Sequence, residues 1–436
     1  MQRALQGPAG PSGYDRGIGN LARDRFDGTL IHWRGALAGL AAVVVAGASL
    51  IDTLIQRGSD GLFNDFYDYW LAARVIGAGG NPYDTAALAA AAGHAGLHFT
   101  LGTGYSYPLL FGYFCLPMTI LPPGQAAVVF GIVSLLALGL AVAILATPLR
   151  RLRMAEVLAL GALAGVLTPI SGSLYFGQAN LLLLPLLSLA WRGVARPLTL
   201  GLVTAVKLYP AAALGAIAAG GRRSLGLLLA TLAAMLALTV VPSVFAPIAR
   251  GSGAAALFLP DPFWTNQSVN GSLSRLSMSS EFTTPPLPGL PVAPIEIVVL
   301  LLLGGGAMAV MVLRRGRPWA GCLSLALAFG VVAAPKNSLW NYAPLLLVVF
   351  FCWPLVRRRA GGLAVLLAGL VLIETQAVID YFRHSFYTSP GLTWASSLAL
   401  YGALLLMALN AYLVLEAGRR AAPDTEPRAV ALSAAA

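Results

Sequence analysis

Charged residues are scarce in this chain. Of its 436 residues, only 10% are Asp, Glu, Lys or Arg and 58% are hydrophobic, whereas a soluble domain carries about 25% charged residues. Apolar stretches of about 20 residues recur along the whole sequence, as helices that cross a bilayer require. The composition therefore predicts an all-α, polytopic integral membrane protein with no room for a second, soluble domain.

Cysteine and histidine are also rare, which argues against a metal centre. The cysteines are isolated in mostly apolar surroundings without CxxC spacing, so we expect them to pack in the core. The histidines show no metal-ligand spacing. We therefore predict no protein-bound metal and no cofactor. These residues are Cys115, Cys322 and Cys352, and His32, His94, His98 and His384.

Two motifs of nucleotide and nucleic-acid binding are missing. No phosphate-binding loop motif appears, so nothing predicts a cytosolic nucleotide. The formal net charge is +11, but no aromatic-basic motif accompanies it. Basic residues of a membrane protein usually set its orientation, so nucleic acid is not a predicted partner.

The hydropathy pattern predicts about 12 membrane segments. The segment 192–224 is basic at both ends and broken by Lys207 and Pro210. We therefore interpret it as two short helices, one entering the membrane and the other returning to the same side. The proline-containing segment 105–123 is interpreted as juxtamembrane or re-entrant. A single transmembrane domain, 35–416, then lies between cytosolic tails at 1–34 and 417–436. The single spans are predicted at 35–55, 125–147, 155–171, 178–192, 224–245, 293–313, 319–335, 342–356, 360–380 and 393–416.

Arginine clusters predict the orientation of these spans. With the N-terminus inside, every cluster falls on the cytoplasmic side, and the polar loops 56–124, 171–180, 246–292, 335–342 and 380–387 fall outside. This asymmetry predicts an outward-facing active site in the plasma membrane, and the Ala- and Gly-rich composition favours a bacterial source. The clusters are Arg150, Arg151 and Arg153; Arg192 and Arg196; Arg222 and Arg223; Arg314, Arg315 and Arg317; Arg357 to Arg359; and Arg419 and Arg420.

The first outer loop places two carboxylates among aromatic residues, in "NDFYDYW" (64–70). Apolar residues recur at helical spacing over 65–77, which predicts an amphipathic helix at the membrane interface with Tyr and Trp at headgroup level. Asp65 at its start is either a helix cap, with Asp68 favouring the same helix end, or a base held at the membrane surface.

Stretches from about 60 to 345 resemble, in order, glycosyltransferase family 87. They are "DFYDYWLAAR", "GGNPYD", "YSYPLL", "FGQANLLLLPLL", "LGLVTAVKLYP", "NQSVNGSLSR" and "PKNSLWNY". This family comprises polytopic GT-C enzymes and includes the mannosyltransferases of mycobacterial phosphatidylinositol mannosides. The resemblance implies a GT-C-type helical bundle, with juxtamembrane helices in the first outer loop.

The resemblance also assigns roles to residues. It implies that Asp65 is the catalytic base. Departures occur at Leu109, where a second proline is often seen, and in "APKNSLWNY" (334–342), which carries Lys336 and Asn341 and no histidine where mycobacterial members have a Ser-Pro-x-Ser-Trp-x-His segment. The expected substrate-binding residues are Asp68, Tyr107, Gln178, Asn180, Lys207, Tyr209, Asn266, Gln267, Ser268, Arg275, Lys336, Ser338 and Trp340, with Gly177 and Pro210 as further motif positions.

The implied reaction transfers a sugar, with mannose expected, from a polyprenyl phosphate donor to a lipid or glycan acceptor. One carboxylate suffices to deprotonate the acceptor, and cations rather than a general acid stabilise the leaving phosphate. Lys207, Arg275 and Lys336 are the candidate cations. Structural alternatives exist: Lys207 and Lys336 snorkel to the interface, Arg275 is only solvated, and Gln178 and Asn180 cap the next helix.

Two other classes of function are compatible with a polytopic protein. A transporter or flippase would alternate access around Lys207 and Glu374 and would favour inverted repeats, of which the sequence shows no convincing instance. A non-catalytic lipid-binding subunit would have no need of Asp65 beside a cationic cluster. Glu374 and Asp380 are further candidates, either for acceptor binding or for pairing with Arg383.

Overall fold

The structure is a computed structural model that describes residues 30–59, 61–97, 105–149, 151–245, 259–281 and 283–419. Within these ranges all regular secondary structure is helical, apart from one isolated β-bridge between Ser280 and Thr283. The all-α prediction is confirmed. Most of the two predicted cytosolic tails, and His98 and Arg150, lie outside the described residues.

The helices follow the predicted segments closely. They are α1 (Trp33–Arg57), α2 (Asn64–Gly77), α3 (Thr85–Ala95), α4 (Leu109–Cys115), α5 (Pro123–Ala146), α6 (Met154–Val166), α7 (Thr168–Phe176), α8 (Asn180–Trp191), α9 (Arg196–Val206), α10 (Ala213–Ala218), α11 (Leu225–Phe245), α12 (Val269–Ser277), α13 (Val292–Leu313), α14 (Trp319–Ala333), α15 (Leu345–Val356), α16 (Ala360–Tyr381), α17 (Arg383–Tyr387) and α18 (Leu398–Arg419). Short 3₁₀ turns extend several of them, including Leu116–Ile120, Tyr209–Ala212 and Leu339–Tyr342.

Five segments of the described chain are long and apolar enough to cross a membrane, which confirms the membrane class. They are Trp33–Gln56, Pro123–Leu149, Val292–Leu313, Ala360–Tyr381 and Thr393–Ala417. A sixth forms if α6 and α7, bent by 47° at their junction, count as one span. The predicted count of about 12 is not confirmed, because the other apolar helices are shorter than the roughly 20 residues that a full crossing needs.

Small residues bring α1 against α5 and α6. Ala38, Ala42 and Ala46 of α1 are fully buried, and a Cβ added to Gly165 of α6 would lie 2.9 Å from the Ala46 nitrogen. Gly161, one turn earlier, meets the Ala38 backbone in the same way. Such small-xxx-small faces let membrane helices approach backbone to backbone, so this contact fixes one side of the bundle.

The arginine clusters gather at one end of the bundle, as predicted, and we call it the basic end. At the basic end, hydrogen bonds and ion pairs connect the termini of neighbouring helices. These contacts run from Arg34 to the Leu152 carbonyl (3.1 Å), from Arg192 to the Ile144 carbonyl (3.4 Å), from Trp319 to the Ala190 carbonyl (2.7 Å), from Arg357 to Glu156 (2.6 Å) and from Arg359 to Glu416 (2.5 Å). Which side of the membrane the basic end faces stays a prediction.

The polar loops meet at the opposite end, which we call the polar end. There the Phe63 amide donates to the Tyr175 carbonyl (2.8 Å) and the Gln267 amide to the Asn337 carbonyl (2.6 Å). Helices α8 and α14 each begin at one end and finish at the other, so the two ends are separated by the apolar body of the bundle.

The first outer loop departs from its prediction in one respect. Helix α2 forms where expected, but its aromatic face is buried in protein rather than laid on lipid headgroups: Phe66, Tyr69 and Trp70 are 0%, 1% and 5% exposed. Trp70 donates its indole N–H to the Met118 carbonyl (3.2 Å). The predicted juxtamembrane segment 105–123 supplies this cover as α4 and its 3₁₀ extension.

Candidate active site

A backbone junction brings α2 to the end of α7. Phe63 precedes α2 in a left-handed conformation (φ 59°), and its amide bonds the Tyr175 carbonyl. Gly177 ends α7, also left-handed (φ 70°), and a Cβ there would lie 2.7 Å from the Phe66 Cβ. Both the backbone angle and the close approach require glycine at this position. The junction therefore sets Asp65 beside Gln178.

Asp65 and Gln178 form a direct pair. The Gln178 Nε2 donates to Asp65 Oδ2, and the Gln178 Oε1 accepts from the Tyr107 hydroxyl (2.8 Å) and from Lys207 Nζ (3.2 Å). The amide thus points its N–H₂ at the carboxylate and its oxygen at the ammonium. Asp65 is not the α2 cap, since Phe63 holds that position without a side-chain bond.

Lys207 lies at the break between α9 and the 3₁₀ turn Tyr209–Ala212, with extended backbone angles. Its Nζ donates to three side-chain amide oxygens, those of Gln178 (3.2 Å), Asn180 (2.8 Å) and Asn341 (2.6 Å). It also lies 5.2 Å from the ring centroid of Tyr107. None of the three acceptors carries charge, so they hold the ammonium without neutralising it.

Asn180 and Asn341 complete the group around the ammonium. Asn180 is fully buried, and its Nδ2 donates to the Asn341 Oδ1 (2.9 Å) and the Trp340 carbonyl (3.0 Å). The Trp340 ring packs on Phe176, with centroids 4.4 Å apart. We define the Lys207 cluster as Asp65, Tyr107, Gln178, Asn180, Lys207 and Asn341.

Burial changes the acidity of both carboxylates of α2. It raises the pKa of Asp65, against the opposing effects of the Gln178 hydrogen bond and the Lys207 charge. Burial, with a smaller contribution from the charge of Asp65, raises the pKa of Asp68 to about 7. Burial thus raises the pKa of both carboxylates, and opposing effects of a hydrogen bond and a cation act on Asp65.

Comparison with known protein families decides which chemistry this cluster belongs to. The sequence model of glycosyltransferase family 87 matches residues 105–335, more than half of the chain. The chain belongs to glycosyltransferase family 87. It is therefore a transferase of sugars, and the family offers no support for a transporter. No curated protein and no solved structure gave a match.

The matched region of the glycosyltransferase contains Tyr107, Gln178, Asn180 and Lys207. Asp65 lies before it and Asn341 after it, so the geometry alone joins those two residues to the cluster. In the sequence, Asn341 was notable only as part of a segment that lacks the histidine of mycobacterial members. Tyr69, which donates to Tyr107 (2.8 Å), was not identified from the sequence either.

Arg275 lies apart from the Lys207 cluster and is fully buried in the glycosyltransferase. All five of its N–H groups have acceptors in the protein. These are the Ser396 Oγ (2.9 Å) and carbonyl (3.2 Å), the Ser397 Oγ (2.8 Å), and the carbonyls of Phe263 (3.1 Å) and Asn266 (2.6 Å). We call this set the Arg275 network. These contacts give no support to the predicted phosphate role of Arg275, because no N–H group is left to bind the phosphate of a sugar donor.

Asn266, Gln267 and Ser268 bind loops of the polar end together. Asn266 donates to the Pro335 carbonyl (3.1 Å) and accepts from the Asn337 amide (3.1 Å). Gln267 donates to the Ser396 carbonyl (3.1 Å). Ser268 caps α12 by accepting from the Gly271 amide (3.1 Å). These three residues therefore hold loops of the polar end together, and none of these bonds reaches a member of the Lys207 cluster.

The remaining predicted residues lie at the edges of the site. Lys336 is 44% exposed and pairs with Asp261 (3.4 Å), and Ser338 precedes the 3₁₀ turn Leu339–Tyr342. The Tyr209 hydroxyl is buried and has no hydrogen-bond partner among the described residues. A buried donor without an acceptor costs free energy, so a substrate oxygen at Tyr209 would relieve that cost.

Two acidic residues of α16 have structural partners. Glu374 accepts from the amide (3.0 Å) and hydroxyl (2.7 Å) of Thr168 and so caps α7 at the bend between α6 and α7. Asp380 accepts from the Tyr387 hydroxyl (2.7 Å) and Gln376 (2.8 Å). Arg383 instead lies 5.2 Å from the Trp264 ring centroid.

Metal-ligating side chains are dispersed. Within the ranges that the structure describes, no group of three or more His, Cys, Asp or Glu residues lies close enough together to hold a metal ion. Cys115, Cys322 and Cys352 are free and buried.

Proposed function

We propose that this glycosyltransferase moves a sugar, mannose in the first instance, from a polyprenyl phosphate donor to a hydroxyl of a lipid or glycan acceptor. The reaction takes place at the polar end, which faces outward from a bacterial plasma membrane in this proposal. The anomeric configuration inverts. Asp65 is the general base, and Lys207 contacts the donor phosphate.

One observation supports this proposal above the others, namely that a single amide bridges an acid and a cation. Gln178 donates to Asp65 through Nε2 and accepts from Lys207 through Oε1. A base and a cation held one side chain apart match the two charges that a glycosyl transfer must manage, one on the acceptor and one on the leaving group.

The proposed step is a single displacement. Asp65 takes the acceptor proton while the acceptor oxygen bonds to the anomeric carbon, and the bond from that carbon to the phosphate oxygen breaks. The electron pair leaves with the polyprenyl phosphate, whose growing charge Lys207 stabilises. Attack from the face opposite the leaving group gives inversion, and a stable phosphate leaving group needs no general acid.

Asp68 supports this assignment by its position. Asp65 and Asp68 lie one helical turn apart at one end of α2, so they do not flank a scissile bond as the carboxylate pair of a glycosidase does. We propose that Asp68 orients the acceptor. Its pKa of about 7 leaves it able to donate as well as accept a hydrogen bond near neutral pH.

The cations differ in their availability, which favours Lys207. The N–H groups of Arg275 are fully used by protein acceptors, and Lys336 is paired with Asp261 at the surface. Lys207 is partly exposed and its charge is opposed only by Asp65 among the neighbours named above. Its three N–H groups also have protein acceptors, but these are side-chain amides that can turn away, so an incoming phosphate can replace them.

The deciding experiment compares Asp65→Asn with Asp68→Asn. Both purified variants would be assayed for transfer from radiolabelled polyprenyl phosphate sugars, with folding checked by thermal melts. A general base contributes about 10²–10⁴-fold, so Asp65→Asn should lose at least about 100-fold in kcat while Asp68→Asn loses less. A dead Asp68→Asn beside an active Asp65→Asn would move the base to Asp68, and full activity in both would refute the mechanism.

A further inference from the structure

A second concave site lies at the basic end, away from the Lys207 cluster. It is a cavity of about 790 Å³, within the size range of small-molecule sites. It opens between the start of α9, the start of α11 and the turn that joins α13 to α14. The residues that give it character are Arg196, Arg222, Arg314, Arg315, Arg317 and Trp319.

The positive charge of this cavity is not balanced by acidic neighbours. No Asp or Glu is among the described residues that line it. Elsewhere at the basic end arginines are paired, as Arg357 is with Glu156 and Arg359 with Glu416. Clusters that only set orientation are usually solvated separately, whereas here five guanidinium groups from three parts of the chain surround one space.

The backbone around the cavity is built to hold this shape. Arg315 and Gly316 both adopt left-handed angles (φ 50° and 68°), and so does Gly221 (φ 66°) on the facing turn. A Cβ at Gly316 would lie 3.1 Å from the Ala216 carbonyl oxygen. The Arg196 guanidinium stacks 4.2 Å from the Trp319 ring centroid, which fixes its direction.

Exposed apolar side chains lie on α11 and α13, the two helices that contribute Leu227 and Val312 to the cavity. Leu225 and Leu229 of α11 are 52% and 57% exposed, and Val312 and Leu313 of α13 are 53% and 71% exposed. A ligand that fills the cavity with an anionic group can therefore lay apolar chains against these residues. A soluble anion would use only the arginines.

We propose that this cavity binds the headgroup of an anionic glycerophospholipid, with its acyl chains against α11 and α13. Basic pockets between membrane helices on the cytoplasmic side suit such headgroups. Arg196 begins α9 and Lys207 follows its end, so about 16 Å of helix separates the lipid site from the Lys207 cluster. The lipid site is thus a separate site at the other end of the same helix.

The test measures lipid binding to the full chain, purified in neutral detergent, by native mass spectrometry. The probes are phosphatidylglycerol, phosphatidylcholine with the same acyl chains, and glycerol phosphate. The cavity variant is Arg222→Gln/Arg317→Gln and the matched control is Arg151→Gln/Arg358→Gln. All four arginines are exposed at the basic end, but Arg151 and Arg358 lie outside the cavity.

Phosphatidylglycerol should bind more tightly than phosphatidylcholine, and its affinity should fall about 25-fold in the cavity variant, at about fivefold for each arginine. The control should stay within about twofold of the wild type. Equal loss in the control would show a general effect of charge and overturn the site. Equal affinity for phosphatidylcholine, or for glycerol phosphate, would overturn the assignment to an anionic lipid.

Discussion

The Lys207 cluster and the Arg275 network each surround one cation, yet they use it differently. Arg275 is 0% exposed and spends all five N–H groups on carbonyls and serine hydroxyls. Lys207 is partly exposed and donates to side-chain amides that come from three parts of the chain. Backbone carbonyls cannot turn away from Arg275, whereas the amides around Lys207 can exchange partners when a phosphate arrives.

The comparison teaches that a buried charge indicates function only after its partners are known. A buried charge whose donors are all taken up by backbone carbonyls and hydroxyls is part of the scaffold. A cation linked through one amide to a base is placed for chemistry. The two sites should therefore respond to mutation in opposite ways, one in stability and the other in turnover.

The largest effect is expected at Arg275. Arg275→Met keeps an apolar side chain of similar length but leaves buried carbonyls and hydroxyls without donors, at about 1–3 kcal/mol for each unsatisfied group. The free energy of unfolding should fall by at least about 3 kcal/mol, as measured by denaturation in detergent. Lys336→Met is the matched control, and because its ion pair is exposed the loss should stay below about 1 kcal/mol. An Arg275→Met protein that is stable but inactive would instead support the predicted role of Arg275 in binding the donor phosphate.

The next effect is expected at Lys207, in catalysis. Lys207→Met removes the proposed phosphate contact, and a charge-assisted bond of about 1.5–3 kcal/mol corresponds to a loss of about 10- to 100-fold in kcat/KM. The melting temperature should fall less than that of Arg275→Met, because the oxygens that lose Lys207 belong to side-chain amides that can turn to other partners. A lower melting temperature with unchanged kinetics would make Lys207 a scaffold cation like Arg275.

The sequence did not predict most of the contrast between Lys207 and Arg275, although it did predict where the helices lie. Helix bounds followed from hydropathy, and motif order brought Asp65, Gln178 and Lys207 into one proposal. The burial of Arg275 could not be predicted, since its acceptors Ser396 and Ser397 lie about 120 residues away. Asn341 was only a departure from a family pattern until its Oδ1 was found beside Lys207. The burial of α2 was missed because an apolar face does not distinguish lipid from protein.

A smaller effect concerns the acidity of Asp65. The Gln178 hydrogen bond lowers the pKa of Asp65 against the effect of burial, so Gln178→Leu should raise that pKa further. The base is then protonated over a wider pH range, and the acid limb of kcat/KM should move to higher pH. Tyr69→Phe is the control, because it removes a hydroxyl that bonds Tyr107 and the Gln178 Oε1 but leaves the Gln178 Nε2 bond to Asp65 in place. An unchanged acid limb of kcat/KM in Gln178→Leu would show that Gln178 does not control the acidity of the base.

A further effect is expected at Asp68, in the pH dependence of stability. Its pKa rises from 3.8 in the unfolded chain to about 7 in the folded protein. Between these values only the folded protein holds the proton, so the contribution of Asp68 to stability is complete below pH 4 and is lost as the pH rises through 7. The stability advantage of Asp68→Asn over the wild type should therefore grow from pH 4 to pH 7 and then level off in thermal melts. A constant difference would contradict the raised pKa.

The shortness of α8 has a consequence for how substrates arrive. Its 12 residues span about 18 Å from the basic end to Asn180, whereas the hydrocarbon layer is about 30 Å thick. With the arginines at one edge of that layer, the reaction chamber has its floor about 12 Å below the other edge. In the proposed reaction, the donor phosphate and the acceptor hydroxyl would then meet at this depth.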